Sequence, residues 1–118
     1  MSAAFQKFAY GTVEPEHAKA NIAASQTDSE LVAAQTGSRI RVLAAAFVTG
    51  ATATNATFNT KGSGAGTAIS PLFANVANGG AVLSANPLGW FETADGEALT
   101  LTTGAGSTTG VLVVWVPV

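Results

Sequence analysis

The sequence predicts an all-β protein, a jelly-roll-like β-sandwich of about eight short antiparallel strands with an N-terminal arm. Two observations predict this class. In residues 39–118, short runs of Val, Leu, Ala and Thr alternate with turns rich in Gly, Ser and Asn. The turns recur about every 8–12 residues, a spacing typical of two-sheet sandwiches.

Length and composition agree with one domain that has a poorly charged surface. The 118 residues are 47% hydrophobic, which suffices for one sizeable core. Only 10% of them are charged, against about 25% in typical soluble domains. Either Thr, Ser and Asn coat the surface instead, or part of the surface is buried against other subunits.

Residues 1–37 differ from the rest, because they hold seven of the thirteen Lys, Arg, Asp, Glu and His residues. Residues 16–25 are Ala-rich but lack an apolar stripe of helical period, which favours a partly extended arm. We expect Phe5, Phe8 and Tyr10 to pack onto the main body or onto a neighbouring subunit. The predicted division is an arm at 1–37 and a β-sandwich domain at 38–118.

Alternation predicts the faces of three strands. Residues 52–60 place Ala56 and Phe58 on one side and polar residues on the other, which indicates a half-solvated strand. Residues 111–118 are apolar on both faces, which is typical of a central strand or a subunit contact. In residues 39–48 the predicted core face consists of Ile40, Val42, Ala44, Ala46 and Val48; the opposite face consists of Arg39, Arg41, Leu43, Ala45 and Phe47.

Turn residues organise the second half of the chain. The glycine-rich run 61–67 reads as a flexible turn, and it lacks the Gly-Lys-Ser/Thr ending and following helix of a phosphate loop. Residues 81–83 form a brief predicted strand. The Asp95-Gly96 pair marks a tight turn, so residues 86–92 and 97–103 are expected to form a hairpin.

The sequence contains no constellation that indicates catalysis or metal binding. His17 is the one histidine, and it lies in the predicted arm. Glu92, Asp95 and Glu97 surround a turn without the spacing of a calcium loop, which favours a solvated rim. We therefore expect no enzyme activity, no cofactor and no metal site.

Charge and hydropathy also limit the expected partners. The formal net charge is −2 and the five Lys and Arg residues are scattered, so we expect no direct contact with nucleic acid. The apolar stretch 42–48 is far shorter than the roughly 20 residues that span a bilayer, so we expect no membrane partner. There is no cysteine, so stability is expected to come from packing or assembly.

Three aromatic and two basic residues are candidates for an interface. Neighbouring residues in a strand point to opposite sides, so at least one of Trp90 and Phe91 is expected to face outward. These two rings and Trp115 either pack in the core or anchor a contact with a protein or a sugar. Arg39 and Arg41 either pair with acidic groups of a partner or form weak exposed pairs.

A resemblance to a known family rests on three stretches. These are Arg39-Ile-Arg-Val-Leu-Ala-Ala45, the glycine-rich turn at 62–66, and residues 84–101 followed by the hydrophobic C-terminal strand. Together they resemble small virion proteins of tailed bacteriophages, in particular head decoration (cement) proteins with a β-sandwich fold. The resemblance covers residues 38–118, and Asn86-Pro-Leu-Gly-Trp-Phe-Glu-Thr93 is its most specific part.

The resemblance implies a virion subunit on the capsid exterior, made in the cytoplasm of a bacterial host. It implies a homotrimer that clamps neighbouring major capsid subunits from outside. Related sandwiches also occur in head fibres and tail components. The alternative is therefore a carbohydrate- or receptor-binding β-sandwich of a fibre, with Trp90 or Trp115 as the stacking platform.

Overall fold

A computed structural model of the protein describes residues 14–118, and these residues form ten β-strands and no helix. The described residues therefore also contain no helix able to cross a membrane. The strands are β1 (Glu16–Ile22), β2 (Ser29–Val32), β3 (Ile40–Thr49), β4 (Thr54–Lys61), β5 (Thr67–Ala68), β6 (Phe73–Asn75), β7 (Gly80–Leu83), β8 (Phe91–Glu92), β9 (Ala98–Thr103) and β10 (Thr109–Pro117).

The strands form two antiparallel sheets. The first sheet has the order β1-β10-β3-β7, and β8 also pairs with β3. The second sheet has the order β2-β9-β4-β5, and β6 also pairs with β4. Strands near the start of the chain pair with strands near its end in reverse order: β1 with β10, β2 with β9 and β3 with β8. This is the pairing of one long hairpin that folds over into two sheets. With β5/β6 and β7/β8 each counted as one interrupted strand, this is an eight-stranded jelly roll. The predicted fold class is confirmed.

The core lies between the sheets and is centred on Phe58, which is fully buried. Phe47, Phe73 and Phe91 surround it, with ring centroids 5.8, 6.3 and 5.0 Å from that of Phe58. Tilted and edge-to-face contacts of this kind add to the free energy gained by burying the rings. Ala56 and Phe58 of β4 both belong to this core, as the alternation predicts.

The predicted faces of β3 are correct for its first residues only. Val114 of β10 pairs with Ala44, but the next residue, Trp115, pairs with Val42, so Leu43 is an extra residue in the ladder. Such a β-bulge shifts the alternation by one position. Ile40 and Val42 therefore point into the core as predicted. Beyond the bulge the assignment is wrong: the inward residues are Ala45 and Phe47, whereas Val48 is exposed.

The predicted hairpin of residues 86–92 with 97–103 is wrong. β8 pairs with β3 in the first sheet, and β9 pairs with β2 and β4 in the second. The turn at Gly96, where φ is 72°, therefore carries the chain from one sheet to the other. A turn within a hairpin and a turn between two sheets use the same residue types. The Asp95-Gly96 pair therefore does not distinguish these two possibilities.

The division at residue 37 is not a structural boundary within the described residues. β1 pairs with β10 at the edge of the first sheet, and β2 pairs with β9 at the edge of the second. An edge strand needs backbone pairing and one apolar face, which β1 supplies with Ala18, Ala20 and Ile22. Residues 16–22 are extended, as the sequence favours, whereas Ala24 and Ser25 form a turn. The aromatic residues Phe5, Phe8 and Tyr10 lie outside the described residues.

Candidate interaction surface on the first sheet

The outer face of the first sheet is lined by apolar side chains. Strand register places Leu112 of β10 beside Ala46 of β3, and Ala46 beside Val82 of β7. Val48 lies two residues beyond Ala46 on β3, on the same side of the strand. Leu112, Val48 and Val82 are 43%, 54% and 76% exposed. We call these four residues, Ala46, Val48, Val82 and Leu112, the apolar face.

The apolar face contains an open groove of about 760 Å³. Small residues line it between the larger ones, because Gly80 and Gly110 flank Val48 in the register. A Cβ atom at Gly80 would overlap the backbone carbonyl of Phe47, so only glycine allows β7 to lie this close to β3. Apolar surface that remains exposed in this way is typical of a protein contact site.

One edge of the sandwich is formed largely by a stretch of chain without ionisable side chains. Residues 62–91 contain no Lys, Arg, His, Asp or Glu. This stretch forms β5, β6, β7 and the start of β8, the edge strands of both sheets on one side of the molecule. We call residues 67–91 the uncharged edge. Its exposed large apolar side chains, besides Val82 of the apolar face, are Leu72 (61%), Val76 (69%), Leu88 (83%) and Trp90 (46%).

The opposite edge is formed by β1 and β2 and is charged. Glu16, His17 and Glu30 are exposed on it, and Lys19 forms the rim of the groove. Charged side chains on an edge strand prevent other strands from adding to the sheet. The uncharged edge lacks such charged side chains. Within the described residues, no strand pairs with the free side of β7.

Both basic candidates pair with an acidic residue of the same chain. The Arg41 Nε donates to the Glu92 Oε2 at 2.9 Å, and the Arg39 Nη1 donates to the Glu92 Oε1 at 3.3 Å. The three side chains are between about a third and a half exposed. Pairs exposed to this extent stabilise a fold by about 0–1 kcal/mol. These ion pairs link β8 to β3, and each of the two arginines has an acidic partner within the chain.

The three aromatic candidates have different environments. Trp90 is half exposed, and its Nε1 donates to the Ser84 carbonyl at 2.7 Å. Phe91 stacks on Phe58 in the core. Trp115 is 5% exposed and belongs to the core. Of the three, Trp90 alone offers a ring to a partner, and Trp115 is not available as a sugar platform.

Sequence reasoning missed a polar network on the second sheet, centred on Asp28. The Asp28 Oδ1 accepts from Asn59 Nδ2 and from Thr100 Oγ1, both at 3.2 Å, and its Oδ2 accepts from the Gly66 N–H at 3.0 Å. The Asp28 N–H donates to Thr102 Oγ1 at 3.1 Å. One carboxylate thus joins two central strands and the glycine-rich turn, and its oxygens are used within the chain.

The acidic residues at the Asp95-Gly96 turn do not converge on a common point. Glu92 pairs with the arginines, whereas Glu97 accepts from Thr60 Oγ1 at 2.7 Å. In residues 14–118, no group of three or more His, Cys, Asp and Glu side chains is placed to hold a metal ion. His17 lies exposed on β1 opposite Val114.

Comparison of the chain with protein-family models, with curated proteins and with solved structures found no match to any of them. The residues themselves, above all the apolar face, are therefore the basis for a functional proposal.

Proposed function

We propose that the chain is a non-enzymatic structural protein of a bacteriophage virion. In this proposal it is a capsid decoration protein that trimerises and clamps neighbouring major capsid subunits from the capsid exterior. The observation that carries the assembling role is the apolar face, which nothing in residues 14–118 covers. The virion assignment rests on the resemblance of residues 38–118, whose most specific part forms the loop and strand at 86–93.

Burial of apolar surface is the driving force in this proposal. Each Å² of apolar surface removed from water contributes about 25 cal/mol. A standard interface covers about 800 Å² on each partner, and association costs offset part of the gain. Repetition around a shell then turns modest contacts into avidity. A chain with only 10% charged residues has few charges to desolvate in such contacts.

The solution mass of the full chain tests the self-association. Light scattering across a concentration range is expected to give a trimer for the native sequence. Leu112→Lys places a charge in the centre of the apolar face and is expected to give a folded monomer. Asn55→Lys is the matched control, because Asn55 is exposed on a central strand of the other sheet. A native protein that is monomeric at every concentration contradicts the proposal.

Capsid binding tests the decoration role. Deletion of residues 1–36 is unsuitable, because it removes β1 and β2. Deletion of residues 1–13 leaves every described strand in place and removes Phe5, Phe8 and Tyr10. We expect this shortened protein to keep its solution mass and to lose binding to purified capsids that lack the protein. Undiminished binding contradicts the capsid role of this segment.

The second candidate function is binding of a carbohydrate or receptor through Trp90. The half-exposed ring of Trp90 favours it, since exposed aromatic rings stack on sugars. Titration of tryptophan fluorescence against a glycan panel tests this alternative. A saturable change that is lost in Trp90→Phe supports it, whereas a decoration protein gives no saturable change. Trp115 is buried and serves as the unresponsive reference.

A further inference from the structure

We infer that Asn78 is a site of spontaneous deamidation, which converts its side-chain amide into a carboxylate and lengthens the main chain just before β7. Asn78 lies in the turn formed by residues 76–79, between β6 and β7. The reaction is independent of the proposed self-association, because it involves one turn of a single chain and water.

The reaction uses the main-chain nitrogen that follows the asparagine. The nitrogen of Gly79 loses its proton and bonds to the side-chain carbonyl carbon of Asn78, and the amide nitrogen leaves as ammonia. Water then opens the resulting cyclic imide at either of its two carbonyl groups. One product is aspartate. The other is isoaspartate, in which the main chain runs through the side chain and is one methylene longer.

The residue after an asparagine determines how easily this nitrogen reaches the side-chain carbon. A side chain on that residue hinders the approach, whereas glycine has none. The chain has six asparagines, and Asn78 is the one that precedes a glycine. Asn86 precedes a proline, which carries no N–H. The other four precede Ile, Ala, Thr or Val. The sequence therefore favours Asn78 over every other asparagine.

The fold favours glycine at this position. A Cβ atom at residue 79 would lie 2.7 Å from the Val76 side chain and 3.1 Å from its carbonyl oxygen. At residue 80, a Cβ atom would overlap the Phe47 carbonyl. Asn78 itself has a φ of 57°, a conformation that asparagine adopts more readily than most residues with a side chain. The turn thus places the amide directly before a glycine that close packing retains.

Exposure and hydrogen bonding of the turn control the rate. Asn78 is exposed, so water reaches its side chain. In the closed turn the Gly79 N–H donates to the Val76 carbonyl at 2.9 Å, which holds the attacking nitrogen in place. The reaction therefore proceeds when the turn opens locally. We expect Asn78 to react more slowly in the folded chain than in a synthetic peptide of residues 74–83.

Conversion to isoaspartate alters the contact between β7 and β3. The Asn78 N–H donates to the Gly50 carbonyl at 2.7 Å, and the Gly79 carbonyl accepts from the Thr49 N–H at 2.8 Å. A methylene added between these two hydrogen bonds is expected to break one of them. Within the described residues no strand pairs with the other side of β7, so the loss loosens this strand. The carboxylate also introduces a charge into residues 62–91, which contain none.

Ageing of the full chain tests the inference. The native protein and Asn78→Gly are incubated at mildly alkaline pH and digested with chymotrypsin. Chromatography with mass spectrometry then locates each converted amide and separates aspartate from isoaspartate. Asn78→Gly is the matched control, because glycine adopts the same φ and carries no amide. In the native protein, more than half of all converted asparagine is expected at position 78.

The same samples test the structural consequence. Hydrogen exchange of the β7 amides is expected to become faster on ageing in the native protein and to stay unchanged in Asn78→Gly. Asn78→Asp adds the carboxylate without the extra methylene. Its β7 amides are expected to exchange like those of the fresh native chain, because both hydrogen bonds of the turn are kept.

Three results contradict the inference. Asn55 is exposed on β4 and precedes Ala56, so equal conversion at Asn55 and Asn78 shows that the turn confers no reactivity. A native chain that loses no more amide than Asn78→Gly shows that the site does not react in the folded protein. Conversion at Asn78 with unchanged exchange in β7 overturns the predicted loosening of this strand. None of these results depends on the solution mass.

Discussion

The outer faces of the two sheets differ, although both sheets contribute to one core. On the second sheet, Asp28 gathers Asn59, Thr100 and the Gly66 amide into a hydrogen-bonded network. On the first sheet, Leu112, Val48 and Val82 are left in water. Polar groups that are satisfied within the chain need no partner. Exposed apolar groups gain free energy when a partner covers them, so association is expected on the first sheet.

The largest effect is expected in the core that both sheets share. Phe58→Ala removes a fully buried ring and leaves a cavity between Phe47, Phe73 and Phe91. We expect the free energy of unfolding to fall by about 3–5 kcal/mol. Urea denaturation measures it. Thr57→Ala, on the outward side of the same strand, is the control and is expected to change stability by less than about 0.5 kcal/mol.

The next largest effect is expected in the polar network of the second sheet. Asp28→Ala removes the acceptor of the buried Thr100 hydroxyl and one of the two acceptors of the buried Asn59 amide, whose other acceptor is Thr102 Oγ1. We expect a loss of about 1–3 kcal/mol, because a buried donor that loses its acceptor costs its desolvation energy. Asp28→Asn is expected to recover only part of this loss, since it places an amide donor opposite another donor. A neutral Asp28→Ala in urea denaturation contradicts a structural role for the network.

A smaller effect is expected where the first sheet is most tightly packed. Gly80→Ala forces β7 away from the Phe47 carbonyl, and we expect a cost of about 1–3 kcal/mol. Gly64→Ala is the matched control, because a Cβ atom there meets nothing within 4 Å. Thermal denaturation compares the two variants. Equal melting temperatures for both variants contradict the close approach of β7 to β3.

The smallest effect is expected at the ion pairs of the first sheet. Glu92→Gln removes the carboxylate that both Arg39 and Arg41 contact, yet we expect a loss of less than about 1 kcal/mol because these groups are partly exposed. The result sharpens the comparison with Asp28, whose partners are buried. Denaturation in low and high salt measures the difference. A loss as large as that of Asp28→Ala indicates that the pair is not screened by water.

Local patterns predict some residues well and others badly. Ala56 and Phe58 were assigned correctly, because β4 keeps its alternation through the residues that face the core. Val48 was assigned to the core and is exposed, because the bulge at Leu43 reverses the faces of β3 beyond it. The sequence around Gly96 predicts a hairpin, whereas the turn joins two sheets, because the chemistry of a tight turn does not specify which sheet the next strand enters.

The candidate surface was predicted only in outline. Low charge indicates either a surface coated with Thr, Ser and Asn or a surface covered by other subunits. The two-sided apolar pattern of residues 111–118 indicates a central strand or a subunit contact, and β10 is a central strand of the first sheet. Of the aromatic candidates, Trp115 lies in the core, Phe91 packs against the core, and Trp90 is half exposed. Leu112 and Val82 were not singled out, because an apolar residue in a strand gives no local sign of which side is covered.

The fold class, the strand-and-turn spacing and the long uncharged stretch at 62–91 follow from the order of residue types alone. These properties are local, since they depend on residue type and on alternation with a period of two. The packing of distant strands, by contrast, determines which apolar side chains remain in water and which carboxylate is enclosed by hydrogen bonds. Exposure depends on strands far apart in the chain, through the register of β10 on β3 and the bulge between them. Local sequence patterns therefore do not predict which distant strands pair or in which register.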